Sequence, residues 1–182
     1  MIWLVRHAQP LIAPGICYGA LDVAADLEAT RAAADILALS LPQHAEMHVS
    51  PLQRCELLAH ILYGLRPDLS YKLDTRLAEM DFGAFEGQRW DCISVQAYDA
   101  WTADFWQYRF GGVESVAEFM ARVALAWDDA LADHIERRPQ VWITHAGVIR
   151  AATLISRGIR EIHDAALWPT QGLAFGEGRR VN

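Results

Sequence analysis

Ile2, Trp3, Leu4 and Val5 form an unbroken apolar run that stops at Arg6 and His7. A short apolar run with polar ends reads as a buried strand. Val141-Trp142-Ile143-Thr144 repeats the design and also stops at a histidine, His145, followed by Ala146 and Gly147. Shorter stretches at 46–49 and 70–77 predict two further strands, and 173–175 a last one. Between them the period changes to that of a helix. Asp26 and Glu28 are suited to open an alanine-rich helix that runs to about Ser40 and is closed by Pro42. Leu52, Cys55, Leu58, Ala59 and Leu62 share one face of a helix over 52–63, with Arg54 in its first turn and off that stripe, where it is either solvated or binds an anion held at the helix start. Ser115 and Glu118 make a capping box before a helix to about Arg137, whose stripe is Val116, Phe119, Met120, Val123 and Trp127. A helix over 147–157 and a short one near 161–166 follow. Strands alternating with helices predict an α/β fold with a mostly parallel sheet.

Two segments fit neither period. Residues 9–25 carry Pro10, Pro14, Gly15 and Gly19 and read as a long loop. In 77–87, Glu79, Asp81 and Glu86 are interleaved with Phe82, Phe85, Gly83 and Gly87. Acids on such a loop are candidates for proton transfer. Residues 89–110 are rich in aromatics, among them Trp90, Trp101, Phe105 and Trp106, and read as helical material over one side of a crevice, mostly as core.

The chain has 182 residues, 53% of them hydrophobic and 21% charged, which suits one globular domain over 1–182. A net charge of −7 argues against nucleic acid or an anionic membrane as a general partner, but leaves room for arginines clustered in one pocket. Cys17, Cys55 and Cys92 lack metal-ligand spacing, and their sparse number suits a reducing cytoplasm. The apolar start is too short for a signal peptide and no run is long enough to span a membrane. The expected location is cytoplasmic, with a homodimer left open.

Ligands of open α/β sheets sit beyond the carboxyl ends of the strands. The sequence offers two histidines there, Arg6 beside the first, Arg54 at a helix start, and Glu79 on a loop. That set suits phosphoryl transfer through histidine. An imidazole nitrogen takes the phosphoryl group and passes it to water, guanidinium forks match phosphate oxygens, and a protonated Glu supplies the leaving group's proton. No metal or cofactor is required.

Arg6-His7-Ala8, Ser50-Pro51-Leu52-Gln53-Arg54-Cys55, the run Leu77 to Gly87 and Thr144-His145-Ala146-Gly147 resemble, in order and over nearly the whole chain, the four motifs of the histidine phosphatase superfamily, relatives of phosphoglycerate mutase. The resemblance implies a three-layer α/β sandwich with a small helical cap at about 88–112. It implies His7 as nucleophile, Arg6, Arg54 and His145 around the phosphoryl group, and Glu79 as proton donor and then base; in those roles His7 would be neutral to attack and His145 protonated to bind the anion, opposite demands that set a rate optimum. Tyr18, Gly19 and Ala146 would border the phosphate. Cys17-Tyr18-Gly19-Ala20-Leu21-Asp22 and Gly111-Gly112-Val113-Glu114-Ser115-Val116 look like α-ribazole phosphatases, which implies a small phosphorylated metabolite, α-ribazole 5′-phosphate, as substrate.

The sequence departs from the family pattern in places. Ala8 stands where glycine is usual, so the backbone there must accept a Cβ. Leu11, Ile12 and Ala13 occupy the place of a common Asn, whose donor is then missing or supplied by backbone. Asp26-Leu27 replaces Thr-Pro. Val113 is inserted before Glu114, which leaves that carboxylate's role open. Other readings are a sugar-phosphate or broad phosphatase, a mutase, a phosphoprotein phosphatase and a non-catalytic phosphate-binding protein. A mutase would want more basic residues over the pocket, where Arg109 is the clearest one here. A phosphoprotein phosphatase would want an open cleft.

Overall fold

The structure, a computed structural model, describes residues 2–132 and 138–181. Strands β1 (Ile2–Arg6), β2 (Glu46–Val49), β3 (Ser70–Leu73), β4 (Gln140–Thr144) and β5 (Gly178–Val181) form one sheet in the order β3-β2-β4-β1-β5. The first four are parallel and β5 runs antiparallel to β1. They alternate with helices α1 (Leu27–Ser40), α2 (Gln53–Leu65), α3 (Val95–Ala103), α4 (Val116–Ala132) and α5 (Ala146–Ile155).

Side-chain alternation explains why β1 and β4 are apolar throughout. Ile2, Leu4 and Trp142 enter a core with Phe119 and Val123 of α4 and Ala151 and Ile155 of α5. Val5, Val141 and Ile143 point the other way, into a core with Ala34 and Leu37 of α1 and Leu58 and Leu62 of α2. Both faces of the central strands are covered, giving the three layers of an α/β sandwich. Each fully buried Leu, Ile or Val contributes about 1.5–3 kcal/mol, so these two strands anchor the domain. Edge strand β3, exposed at every position, does not.

The helix starts follow their signals. Asp26 accepts from the Ala29 amide at 2.8 Å. The Ser115 amide donates to Glu118 at 2.9 Å while the Glu118 amide donates to Ser115 Oγ at 3.2 Å. Helix α2 has no side-chain cap of its own residue. The Gln53 amide instead donates to Asp22 at 2.8 Å, which ties the long loop to the helix carrying Arg54.

Several boundaries differ from the sequence reading. β3 ends at Leu73, because Asp74 binds both the Arg76 amide and its guanidinium and turns 75–77 into a single 3-10 turn. Residues 89–110 are not one helix. Trp101, Phe85, Tyr98 and Trp90 gather around the fully buried Phe110 and break the segment into a 3-10 turn at Trp90–Cys92, helix α3 and turns. The short helix near 161–166 is one 3-10 turn, Ala165–Leu167. The last strand lies at Gly178–Val181, not at 173–175, because that segment is spent on Arg6: its guanidinium donates to the Leu173 carbonyl and stacks on Phe175. The expected extension of α4 to Arg137 falls outside the described residues beyond Ala132.

The parallel register sets Arg6 beside Thr144 and Val49 beside Ile143. One residue further, His7, His145 and Ser50 leave the same sheet edge together, held by the His7 amide on Thr144 (3.0 Å) and the Ser50 amide on Ile143 (3.0 Å).

Candidate active site

His7 is buried, with Nδ1 2.7 Å from the Ala8 carbonyl. A carbonyl only accepts, so Nδ1 carries the proton and Nε2 keeps the lone pair. Burial, opposed by that bond and reinforced by the charges of Arg54 and Arg6, lowers the imidazole from its ordinary 6.5 to about 3. Ala8 causes no strain, since His44 is the one non-glycine with positive φ among the described residues.

Arg54, which helical periodicity alone left between solvent and an anion at the helix start, is fully buried. Its Nη1 donates to the Leu21 carbonyl (2.8 Å), its Nη2 to the Gly19 carbonyl (2.6 Å), and its Nε to His145 Nδ1 (3.2 Å). Neutral acceptors hold it there, and each Nη keeps a second hydrogen for a ligand. The contact with His145 corrects the expected charge of that ring. Nδ1 must accept, so the fully buried His145 is neutral and its Nε2–H donates to Ser50 Oγ at 2.7 Å. Burial first, then the charge of Arg54, holds its pKa well below the usual imidazole range.

Both histidines therefore resist protonation, which gives a pH prediction with a definite sign. The unfolded chain takes up their protons near pH 6.5 and the folded protein does not until about pH 3 for His7. Across that window the unfolded state binds more protons, so stability is full above about pH 6.5 and is lost as pH falls. The urea midpoint is expected to drop between pH 6.5 and 4, and to drop less in His7→Gln. The same slope in both proteins would contradict the neutral assignment.

Glu79 faces the histidines from the loop after β3. Its Oε2 accepts from the Gly147 amide at the start of α5 (2.9 Å) and its Oε1 from the Met80 amide (3.1 Å). A Cβ at position 147 would fall 2.2 Å from Oε1, so the carboxylate occupies the space that glycine leaves. Arg122 of α4 holds the loop from behind, donating to the carbonyls of Arg76, Ala78 and Glu79 and pairing with Glu114 at 2.7 Å. Glu114 in turn accepts from the Asp81 amide (3.0 Å), which gives this carboxylate a place in the acid loop's support.

The Tyr18-Gly19 loop is fixed by Glu86. Its carboxylate accepts from the amides of Gly19 (2.8 Å), Ala20 (3.0 Å), Leu21 (3.1 Å) and Phe82 (2.9 Å). Those bonds aim the Gly19 and Leu21 carbonyls at Arg54. Gly19 permits it, since a Cβ there would meet the Met80 carbonyl at 1.8 Å.

Arg6, His7, Tyr18, Arg54, Glu79, His145 and Ala146 all line one cavity of about 270 Å³. Gly19 reaches it through Arg54. Arg109 does not line it: it is exposed and paired with Glu118. The sequence reading missed Arg150, which also lines the cavity, and the support Arg122; it named Glu86 among the loop acids but not as a support. Arg122 had a signal, a cation between buried Met120 and Val123 on an amphipathic helix. An adjoining chamber of about 420 Å³ shares Glu79, Phe82 and Arg150 and is walled by Trp101, Phe105, Phe119 and Trp168. Two of these, Trp101 and Phe105, come from the aromatic segment over the crevice.

Comparison with known proteins bears on this arrangement. The family model for the histidine phosphatase superfamily (branch 1) matches residues 2–170. No curated protein sequence matches the chain. Among solved structures, mycobacterial hydrolase 2 is 25% identical with a TM-score of 0.79, covering 97% of this chain and 79% of that one. A mycobacterial glucosyl-3-phosphoglycerate phosphatase solved with inorganic phosphate is 25% identical with a TM-score of 0.77, covering 97% and 86%. TTHB049 from Thermus thermophilus is 28% identical with a TM-score of 0.68, covering 97% and 90%. No helix among the described residues is long and apolar enough to cross a membrane.

Proposed function

Because the chain belongs to the histidine phosphatase superfamily, we propose that it hydrolyses a small phosphate monoester through a phosphohistidine at His7, with α-ribazole 5′-phosphate as substrate. One observation carries the chemistry. The lone-pair nitrogen of His7 and the guanidiniums of Arg6, Arg54 and Arg150 share a cavity whose single carboxylate among the described residues is Glu79. Such a site is cationic where the phosphoryl group must sit, and it holds one group able to carry a proton.

The steps follow from that layout. Nε2 of His7 attacks phosphorus and the bond from phosphorus to the ester oxygen breaks. Arg6, Arg54 and His145 hold the phosphoryl oxygens as charge moves through the transition state, Tyr18 and Ala146 line the same pocket, and Gly19 acts on it through its carbonyl on Arg54. Protonated Glu79 gives its proton to the leaving alkoxide. Its carboxylate then takes a proton from water, which attacks the phosphohistidine and releases phosphate. His145 meets the incoming anion as a neutral ring, and the bound negative charge favours its protonation.

The chamber beyond Glu79 supports the leaving group. Its aromatic walls suit a flat apolar base on a ribose better than a hydroxyl-rich sugar or a glycerate. The structural neighbour named as a glucosyl-3-phosphoglycerate phosphatase makes a sugar ester the second reading. Phosphate release should be measured from α-ribazole 5′-phosphate, glucosyl-3-phosphoglycerate, 3-phosphoglycerate and phenyl phosphate. A preference for the ribazole ester in kcat/KM is expected. Preference for the glucosyl ester would move the assignment to sugar phosphates, and release from none would favour a phosphate-binding protein.

A further inference from the structure

We infer that Arg150 is a specificity-determining residue that holds a hydroxyl oxygen of the leaving group, so that the site selects aromatic bases joined to phosphate through a sugar. The inference rests on the phosphatase reading above.

Arg150 lies on α5, just over one turn beyond His145, and is half-buried. Its Nε is shut off from solvent and has no hydrogen-bond partner. Its Nη2 has one long bond, 3.3 Å, to the Thr170 carbonyl. Among the described residues no carboxylate pairs with it. A buried guanidinium N–H left unmade is costly, and here the cost is repeated, because Arg6 Nε is buried and unpartnered as well. Both line the same cavity, and the charge of Arg150 opposes that of Arg6. The Nε atoms face protein, but both arginines line one cavity, and the Nη hydrogens of Arg150 that no described residue takes mark a place there for acceptor oxygens.

The second chamber tells which oxygens those are. Arg6 and Arg54 line the cavity with His7 and not the aromatic chamber, so they lie on the phosphoryl side. Arg150 lines both, as Glu79 does. If Glu79 protonates the ester oxygen, that oxygen sits at the junction, and Arg150 stands beside the first atoms of the leaving group. Beyond it the walls are Trp101, Phe105, Phe119 and Trp168, which offer an apolar face. The ligand that satisfies both demands has hydroxyl oxygens a few bonds from the ester and a flat apolar body after them. That is the layout of a nucleoside-type 5′-phosphate.

The test compares wild type, Arg150→Met and Arg150→Lys on α-ribazole 5′-phosphate, phenyl phosphate and 3-phosphoglycerate, with inhibition by α-ribazole and by inorganic phosphate. Thermal midpoints confirm that each variant is folded. For Arg150→Met the loss of kcat/KM on the ribosyl ester should exceed that on phenyl phosphate roughly 10- to 100-fold, the scale of one charged hydrogen bond. It should arise mainly in KM. Inhibition by α-ribazole should weaken more than inhibition by phosphate. Arg150→Lys, which keeps charge but not the fork, should recover part of the loss. Equal losses on the two esters, a selective loss on 3-phosphoglycerate, or no loss would each overturn the inference. Failure of the substrate reading shows separately, in wild type: if it does not cleave the ribosyl ester, the α-ribazole inhibition of phenyl phosphate hydrolysis still reports on Arg150.

Discussion

His7→Ala is expected to abolish phosphate release, with kcat lower by about 10⁴- to 10⁶-fold, the scale seen when a covalent nucleophile is removed. No neighbour can replace it. His145 is the other imidazole in the cavity, with ring centroids 5.2 Å apart, yet its Nδ1 lone pair is held by Arg54 and its Nε2 faces Ser50. Neither of its nitrogens offers a free lone pair with which to attack phosphorus. Folding should survive the change. His7 makes one local side-chain hydrogen bond, to the adjacent residue, so the truncation leaves no distant buried group unpaired. The check is twofold. Stopping the wild-type reaction in alkali after mixing with labelled substrate should trap an acid-labile phosphoramidate on the protein, and His7→Ala should carry no label. A variant that keeps its label, or loses less than about tenfold of its rate, would move the nucleophile elsewhere.

The reach of sequence reasoning can be judged from the same residues. The two apolar runs ending in His7 and His145 were legible because parallel strands covered on both faces have no polar side to break them. Once they pair in register, the strand-end histidines must be neighbours. Asp26 and the Ser115–Glu118 box were legible because a helix start is satisfied within a few residues. Periodicity alone left Arg54 between solvent and an anion, because it reports only the helix's own stripe. Its burial depends on loop carbonyls 33 and 35 residues away. The same reason hid the supporting role of Glu86, whose four partners lie mostly on that distant loop, and Arg122, whose partners are backbone oxygens of the acid loop. Arg150 escaped because its significance lies in where it stands, between two chambers and with no carboxylate pairing with it among the described residues, and no pattern in the chain records that. The 173–175 segment has the composition of a strand, but Phe175 is drawn onto the Arg6 guanidinium at 3.8 Å and the ladder forms later, at Gly178.

Glu79→Gln should separate the two halves of the reaction. The side chain keeps its size but loses an acceptor, and both oxygens of Glu79 now receive a backbone amide, from Met80 and from Gly147. An amide NH₂ in either place sets donor against donor, so the variant also disturbs the start of α5. With an alkyl ester such as α-ribazole 5′-phosphate, the poor leaving group waits for a proton that Gln cannot give. The first step should slow by about 10²- to 10⁴-fold, the range for a lost general acid. Phenyl phosphate expels a better leaving group and needs less help, so its first step should slow far less. The second step is common to both substrates and needs the carboxylate as a base for water. With phenyl phosphate the variant should therefore release a burst of phenol equal to the enzyme and then stall as the phosphohistidine accumulates. With the alkyl ester there should be no burst. Rapid-quench measurement of phenol and of protein-bound phosphate decides the matter. Equal slowing of the first step for both esters, with no trapped phosphoenzyme, would take Glu79 out of both proton transfers and leave it the task of holding the helix start.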